Sequence, residues 1–149
     1  MSTRGAAERI SMATGYMLAR LGDFARQRIE VEVGGWGLTG KELRVLAYAH
    51  DAARSQRDLT ALARMDRTTM TEVINTLERL GYVRRVRNTA DRRKYLITVT
   101  EDGARVVEEV LAHMAKVEAD FLGALTPAER SLLNDMVARL FTAHDPDCA

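Results

Sequence analysis

At Gly81 the apolar pattern of this chain changes its period, and few folds accept the change where it falls. Before it, Met70, Val73, Ile74 and Leu77 recur at the three- and four-residue steps of an amphipathic helix. After it, the segments Tyr82–Arg87 and Lys94–Val99 are short and rich in β-branched or aromatic residues, and they flank the polar stretch 88–92. That pattern predicts a β-hairpin with a loop longer than a tight turn. Gly81 is expected just past the helix end, where a left-handed residue is needed.

Upstream, start signals mark a compact series of helices. Thr39 and Glu42 have the spacing of a capping box, and a helix carrying Leu43, Leu46, Ala47 and Ala49 follows to about Ala53. Ser55 and Asp58 repeat the signature before a short helix bearing Leu59, Leu62 and Ala63. Asp66 is placed to cap the helix that ends at Gly81. The turn between the last two helices is Arg64-Met65-Asp66.

Long amphipathic segments flank this centre. From Ala6 to Glu32, Ile10, Ala13, Met17, Leu21 and Phe24 predict one helix, broken by Gly34-Gly35-Trp36-Gly37. Thr100 can cap a helix with Val107, Val110, Leu111, Met114, Val117, Phe121 and Leu122 along one stripe. Thr126, Pro127 and Glu129 open a last helix that ends before Asp145. With only 5% aromatic residues and abundant Ala, Leu and Glu, the expected class is mainly α with a two-stranded wing. Two long terminal helices with few strands to cover them predict burial against a second copy; an intramolecular antiparallel pair is the alternative.

The net charge of +1 conceals a division. Between Arg54 and Lys94 there are eleven Lys/Arg and five Asp/Glu, a balance of +6, so the rest of the chain carries −5. A basic middle between acidic ends fits a polyanion partner. At 100° per residue, Thr68, Glu72, Asn75 and Arg79 centre opposite the apolar side of the capped helix, with Thr71 on the flank and Arg67 nearer the edge. Short hydrogen-bonding groups of this kind can approach base edges in a major groove about 12 Å wide. The hairpin adds Arg84, Arg85, Arg87, Arg92, Arg93 and Lys94, six cations within eleven residues. An arginine on a thin β-tip suits the minor groove; a solvated loop is the alternative. Asp91, the sole acid there, is expected to hold Arg93 by a charge-assisted bond.

Residues 38–46, Asp66–Thr71, Leu77–Val83, Asp91–Arg93 and Leu96–Gly103, in this order, resemble the MarR family of bacterial regulators. The resemblance implies a single domain over 1–149, with a winged helix-turn-helix at 38–100 and dimerisation helices at 6–32 and 101–144. It also implies a cytoplasmic homodimer on a pseudo-palindromic operator, and often a repressor released by a small phenolic or other anionic effector. By similarity Thr68, Thr69 and Thr71 lie in the groove, Arg93 in the wing beside Arg92 and Lys94, and Ser55, Gln56 and Arg57 near phosphate. Glu72 departs from the family's habit of a basic or small residue. It either accepts from a cytosine amine or pairs with Arg67 or Arg79. The family's ligand crevice, between the dimer helices and the winged domain, would fall near Tyr16, Met17, Arg20 and Trp36; the alternative is that Met17 and Trp36 are core and Arg20 is surface.

Other chemistry is not indicated. His50, His113 and His144 are dispersed, with no metal-ligand spacing, and no cofactor is expected. No catalytic motif emerges, and no apolar run approaches the ~18 residues of a membrane span. Cys148 reads as an incidental thiol of a reducing compartment, with oxidant sensing as the alternative. A winged module that binds protein instead of DNA is the rival reading.

Overall fold

A computed structural model describes residues 5–145 of the chain. The chain forms two compact units, one ending at Met114 and the other beginning at Ala115. The elements are α1 (Ala6–Ser11), α2 (Thr14–Val33), a 3₁₀ turn (Gly34–Trp36), α3 (Gly40–Asp51), β1 (Arg54–Ser55), α4 (Gln56–Ala63), α5 (Arg67–Arg79), β2 (Val83–Arg87), β3 (Tyr95–Val99), α6 (Glu101–Phe121) and α7 (Pro127–His144).

The first unit is built around an aliphatic core. Val33 of α2, Val45 and Leu46 of α3, Leu59 of α4, Met70, Ile74 and Leu77 of α5, Ile97 of β3 and Val110 of α6 are all essentially sealed from solvent. Capping fixes where the helices begin. Thr39, Ser55 and Thr126 each form a reciprocal box with the acid three residues on, and Asp66 caps α5 alone by accepting from the Thr69 N–H at 2.8 Å. At the far end of α5, Gly81 has φ +80°. Its N–H donates to Glu78 O and that of Tyr82 to Leu77 O, both at 2.9 Å, so two otherwise orphaned carbonyls are satisfied. The turn between α4 and α5 depends on Arg64, which adopts φ 50°, a left-handed conformation that few side chains favour.

One expectation is corrected, and the two-stranded wing gains a third strand. The helix predicted over 6–32 is two helices, parted at Met12 and Ala13. Ser11 turns its hydroxyl back onto Glu8 O (3.0 Å), and Ala13 is extended, so the ladder stops for one turn. The sheet has three strands in the order β1-β3-β2, all antiparallel, with Arg85 opposite Ile97 in the hairpin and Arg54 opposite Ile97 on the other edge. A two-residue strand carries no readable alternation, so only its partner reveals it.

Thr100 fastens the hairpin to α6. Its N–H donates to Tyr82 O (3.0 Å), its hydroxyl donates to Gly81 O (2.6 Å) and accepts from the Gly103 N–H (3.0 Å). The approach is so close that a Cβ on Gly103 would lie 2.0 Å from Tyr82 O. In the second unit, Arg130 reaches back from α7 to the carbonyls of Leu122 and Leu125 at 3.1 and 3.0 Å. No described helix is long and apolar enough to cross a membrane.

Candidate nucleic-acid interface

The basic segment is carried by the start of α4, the outward side of α5 and the β2–β3 hairpin, which Arg85 ties to α5. Ser55 caps α4: its hydroxyl donates to Asp58 at 2.7 Å, and this bond holds the Asp58 carboxyl below its ordinary pKa. Arg57 is exposed on the next turn. With Gln56, Thr60 and Arg67 it lines a notch of about 240 Å³ at the starts of α4 and α5. Two guanidiniums beside helix N-termini make that notch attractive to an anion.

Along α5 the predicted residues divide by what their polar atoms already hold. The Thr69 N–H and hydroxyl both donate to Asp66, at 2.8 and 2.7 Å, and depress its pKa in that order of importance. The Thr71 hydroxyl donates to Arg67 O at 2.9 Å and accepts from the Gln56 amide at 2.8 Å, so it pins α4 to α5. Asn75 accepts from Arg85 at 3.0 Å through its amide oxygen. Since a guanidinium only donates, this bond fixes which way the amide faces. Thr68 and Glu72 are exposed and hold no such partner among the described residues. The pairing of Glu72 with Arg67 or Arg79 considered above does not form, because neither is three or four residues away.

The hairpin cations separate in the same way. Arg85 is tied to Glu78 as well as Asn75, joining β2 to α5. Arg87 lies over the Tyr95 ring, 5.8 Å from its centroid. Asp91 does not clamp the Arg93 guanidinium. Its carboxylate accepts from the Arg93 backbone N–H at 3.1 Å and pairs with Lys94 at 3.7 Å, which shapes the loop and leaves Arg92 and Arg93 exposed, their guanidiniums without a partner among the described residues. The Gln56–Thr71 and Arg85–Asn75–Glu78 links are absent from any sequence pattern, since they join residues far apart in the chain.

The four residues named for an effector crevice are not assembled within one chain. Tyr16, Met17 and Arg20 are exposed near the start of α2, where Arg20 stacks over Phe24 at 5.4 Å. Trp36 lies beyond the other end of that helix, and the 1.5 Å rise per residue puts about 24 Å between Met17 and Val33. The Trp36 indole instead donates to Glu109 at 3.1 Å and packs 5.5 Å from the His113 ring, while Tyr82 donates to its carbonyl at 2.9 Å. The indole bond, followed by Arg105, lowers the Glu109 pKa. His113 bonds Glu32 at 2.7 Å, and with Arg28 this lowers the Glu32 pKa. Among the described residues no group of acids and histidines could hold a metal ion. Cys148 lies outside the described residues.

Comparison with known proteins meets this geometry at the same segment. The family model described as the MarR family matches residues 36–94. The chain is 30% identical over 124 residues to a putative transcriptional regulatory protein for the hcr operon of Thauera aromatica, covering 83% of this chain and 73% of that one. This chain belongs to the MarR family. It is accordingly a MarR-family transcriptional regulator, with a winged helix-turn-helix formed by α3, α4, α5 and the hairpin. Among solved structures, CouR of Rhodococcus jostii, bound to p-coumaroyl-CoA, superposes with a TM-score of 0.74 at 23% identity, over 92% of this chain and 95% of that one. BpsR of Bordetella bronchiseptica, whose DNA binding is regulated by 6-hydroxynicotinic acid, gives 0.72 at 26% identity, over 93% and 97%.

Proposed function

We propose that this regulator is a homodimer that binds a pseudo-palindromic duplex operator in a sequence-specific way, one winged module per protomer. In this reading α5 enters the major groove with Arg67, Thr68, Thr69, Thr71, Glu72 and Asn75. Arg92, Arg93 and Lys94 follow the neighbouring minor groove. Ser55, Gln56 and Arg57 lie along phosphate. The observation that carries the reading is the set of exposed guanidiniums at Arg57, Arg67, Arg92 and Arg93, none hydrogen-bonded or ion-paired among the described residues, borne by one module while Asp66, Asp58 and Asp91 are engaged internally. Cations left free on one module, while Asp58, Asp66 and Asp91 are engaged within it, serve an external anion.

Dimerisation is supported by what lies outside residues 38–100. Of the large apolar side chains exposed among the described residues, all but Leu62, Val86 and Tyr95 belong to the flanking segments, including Leu18, Leu21, Phe24, Leu132, Leu140 and Phe141. Apolar surface on that scale is stabilised by burial against a twin. The flanking helices 6–32 and 101–144 thus act in dimerisation and 38–100 in DNA binding. The regulator acts in the cytoplasm as a repressor, and an anionic aromatic ligand releases it; the reading is supported by CouR being bound to p-coumaroyl-CoA and by the DNA binding of BpsR being regulated by 6-hydroxynicotinic acid.

Selection of bound sequences from random duplexes tests the proposal. An enriched inverted repeat with half-sites about one DNA turn apart is expected. A protein-binding winged module would enrich nothing.

A further inference from the structure

The outward ridge of α5 runs Thr68, Glu72, Asn75, Arg79, and Glu72 is its one acid, an exposed carboxylate at the edge of a cleft it shares with Glu30, Lys41 and Glu42. A salt bridge would make it unremarkable, but helix geometry denies it one. The residues three and four positions away are Thr68, Thr69, Asn75 and Thr76, none cationic. Arg79 is two turns on, about 10.5 Å along the axis, and Arg67 is five residues back, on another side. Lys41 shares the shallow cleft beside Glu72 with Glu30 and Glu42, and does not pair with it. Glu30 is taken by the Gly40 N–H (3.1 Å), and Glu42 by the Thr39 N–H (2.8 Å). Of these three acids, only Glu72 has no hydrogen-bond or ion-pair partner among the described residues.

A free carboxylate on a groove-facing ridge only accepts hydrogen bonds. Phosphates repel it, so its partner has to be a base donor. The major groove offers two: the exocyclic amine of cytosine and that of adenine. The adenine amine stands between two acceptors, N7 and the thymine O4. The cytosine amine stands at the end of its pair's pattern, with one acceptor beside it. An anion therefore meets less repulsion at cytosine. We infer that Glu72 is the specificity-determining residue of α5, accepting a hydrogen bond from the exocyclic amine of one cytosine in each operator half-site. Its neighbours hold the helix in place for this: Thr71 through Gln56, and Asn75 through Arg85.

This inference rests on the DNA-binding reading, and the experiment separates the two. Bound duplexes are selected with wild type, Glu72→Ala and Glu72→Gln, and affinities are measured for the enriched operator with each of the four bases at every position. Wild type prefers cytosine at one position per half-site by about ten- to hundredfold over the other bases. In Glu72→Ala that preference collapses to below threefold while the remaining positions keep theirs. Glu72→Gln, whose amide both donates and accepts, moves the preference toward adenine. An unchanged base preference in Glu72→Ala overturns the inference, as does a uniform gain of affinity for every sequence, which would make Glu72 merely repulsive. Failure of the wild type to bind any duplex would instead remove the DNA-binding reading itself. Because Glu72 is exposed, thermal midpoints of the variants are expected to match wild type and serve as the folding control.

Discussion

Replacement of Gly103 by alanine tests how the hairpin is joined to α6. Within a helix, glycine to alanine normally gains up to about 1 kcal/mol. Here the added Cβ would meet Tyr82 O at 2.0 Å, the Tyr82 carbonyl carbon at 2.8 Å and a Val99 methyl at 2.9 Å, and ordinary contact begins near 3.4 Å. Backbone cannot step aside as a flexible side-chain end can, so α6 has to retreat by more than an ångström. Such overpacking costs about 1–3 kcal/mol. The same retreat stretches the Thr100 N–H to Tyr82 O bond, 3.0 Å now, which contributes about 1 kcal/mol. It also loosens Val106, Val107 and Val110 from the core. After the gain in helix propensity, the net loss is about 2 kcal/mol, or roughly 4–8 °C in the thermal midpoint for a chain of this size. Urea and thermal unfolding at fixed protomer concentration measure it, since a dimer's midpoint varies with concentration. An unchanged or raised midpoint would refute the close approach.

Further outcomes follow from the same contacts. Replacing Arg92 and Arg93 together by alanine lowers operator affinity at least tenfold and reduces the salt slope by about 2, while light scattering still gives the dimer; an unaltered slope takes the wing off the DNA. Leu140→Lys places a charge on an exposed apolar face of α7 and shifts the equilibrium toward monomer, and a mass unchanged at low micromolar concentration counts against that face. Asp66 has its pKa lowered on folding by the Thr69 donors, so its contribution is complete above its unfolded value near 4 and lost as pH falls through the folded one. The stability gap between wild type and Asp66→Asn is therefore constant from pH 6 to 8 and narrows in acid; a gap that persists to pH 2 contradicts the capping role.

How much of this was legible in the sequence depends on range. Capping boxes at Thr39, Ser55 and Thr126 and the left-handed Gly81 are local, and each appears where its spacing puts it. The apolar face of α5 follows from periodicity, as its buried Met70, Val73, Ile74 and Leu77 show. Contacts between distant residues were not legible. No pattern announces that Gln56 engages Thr71, that Arg85 spans to Asn75 and Glu78, or that two residues, Arg54 and Ser55, add a strand. Asp91 and Arg93 are two apart, yet which atom of Arg93 the carboxylate takes depended on the loop's backbone. Within one chain, helix length separates Tyr16 from Trp36, so any crevice holding all four effector candidates would have to be completed by the second protomer.

The central claim is that exposed cations of one winged module meet the phosphates of a duplex. The measurement that tests it most directly is the affinity of the purified protein for its selected operator across a salt series. Neutralising roughly six to ten phosphates predicts a fall of about 10³ to 10⁵ in affinity between 50 and 200 mM salt. An affinity that stays flat over that range would contradict it.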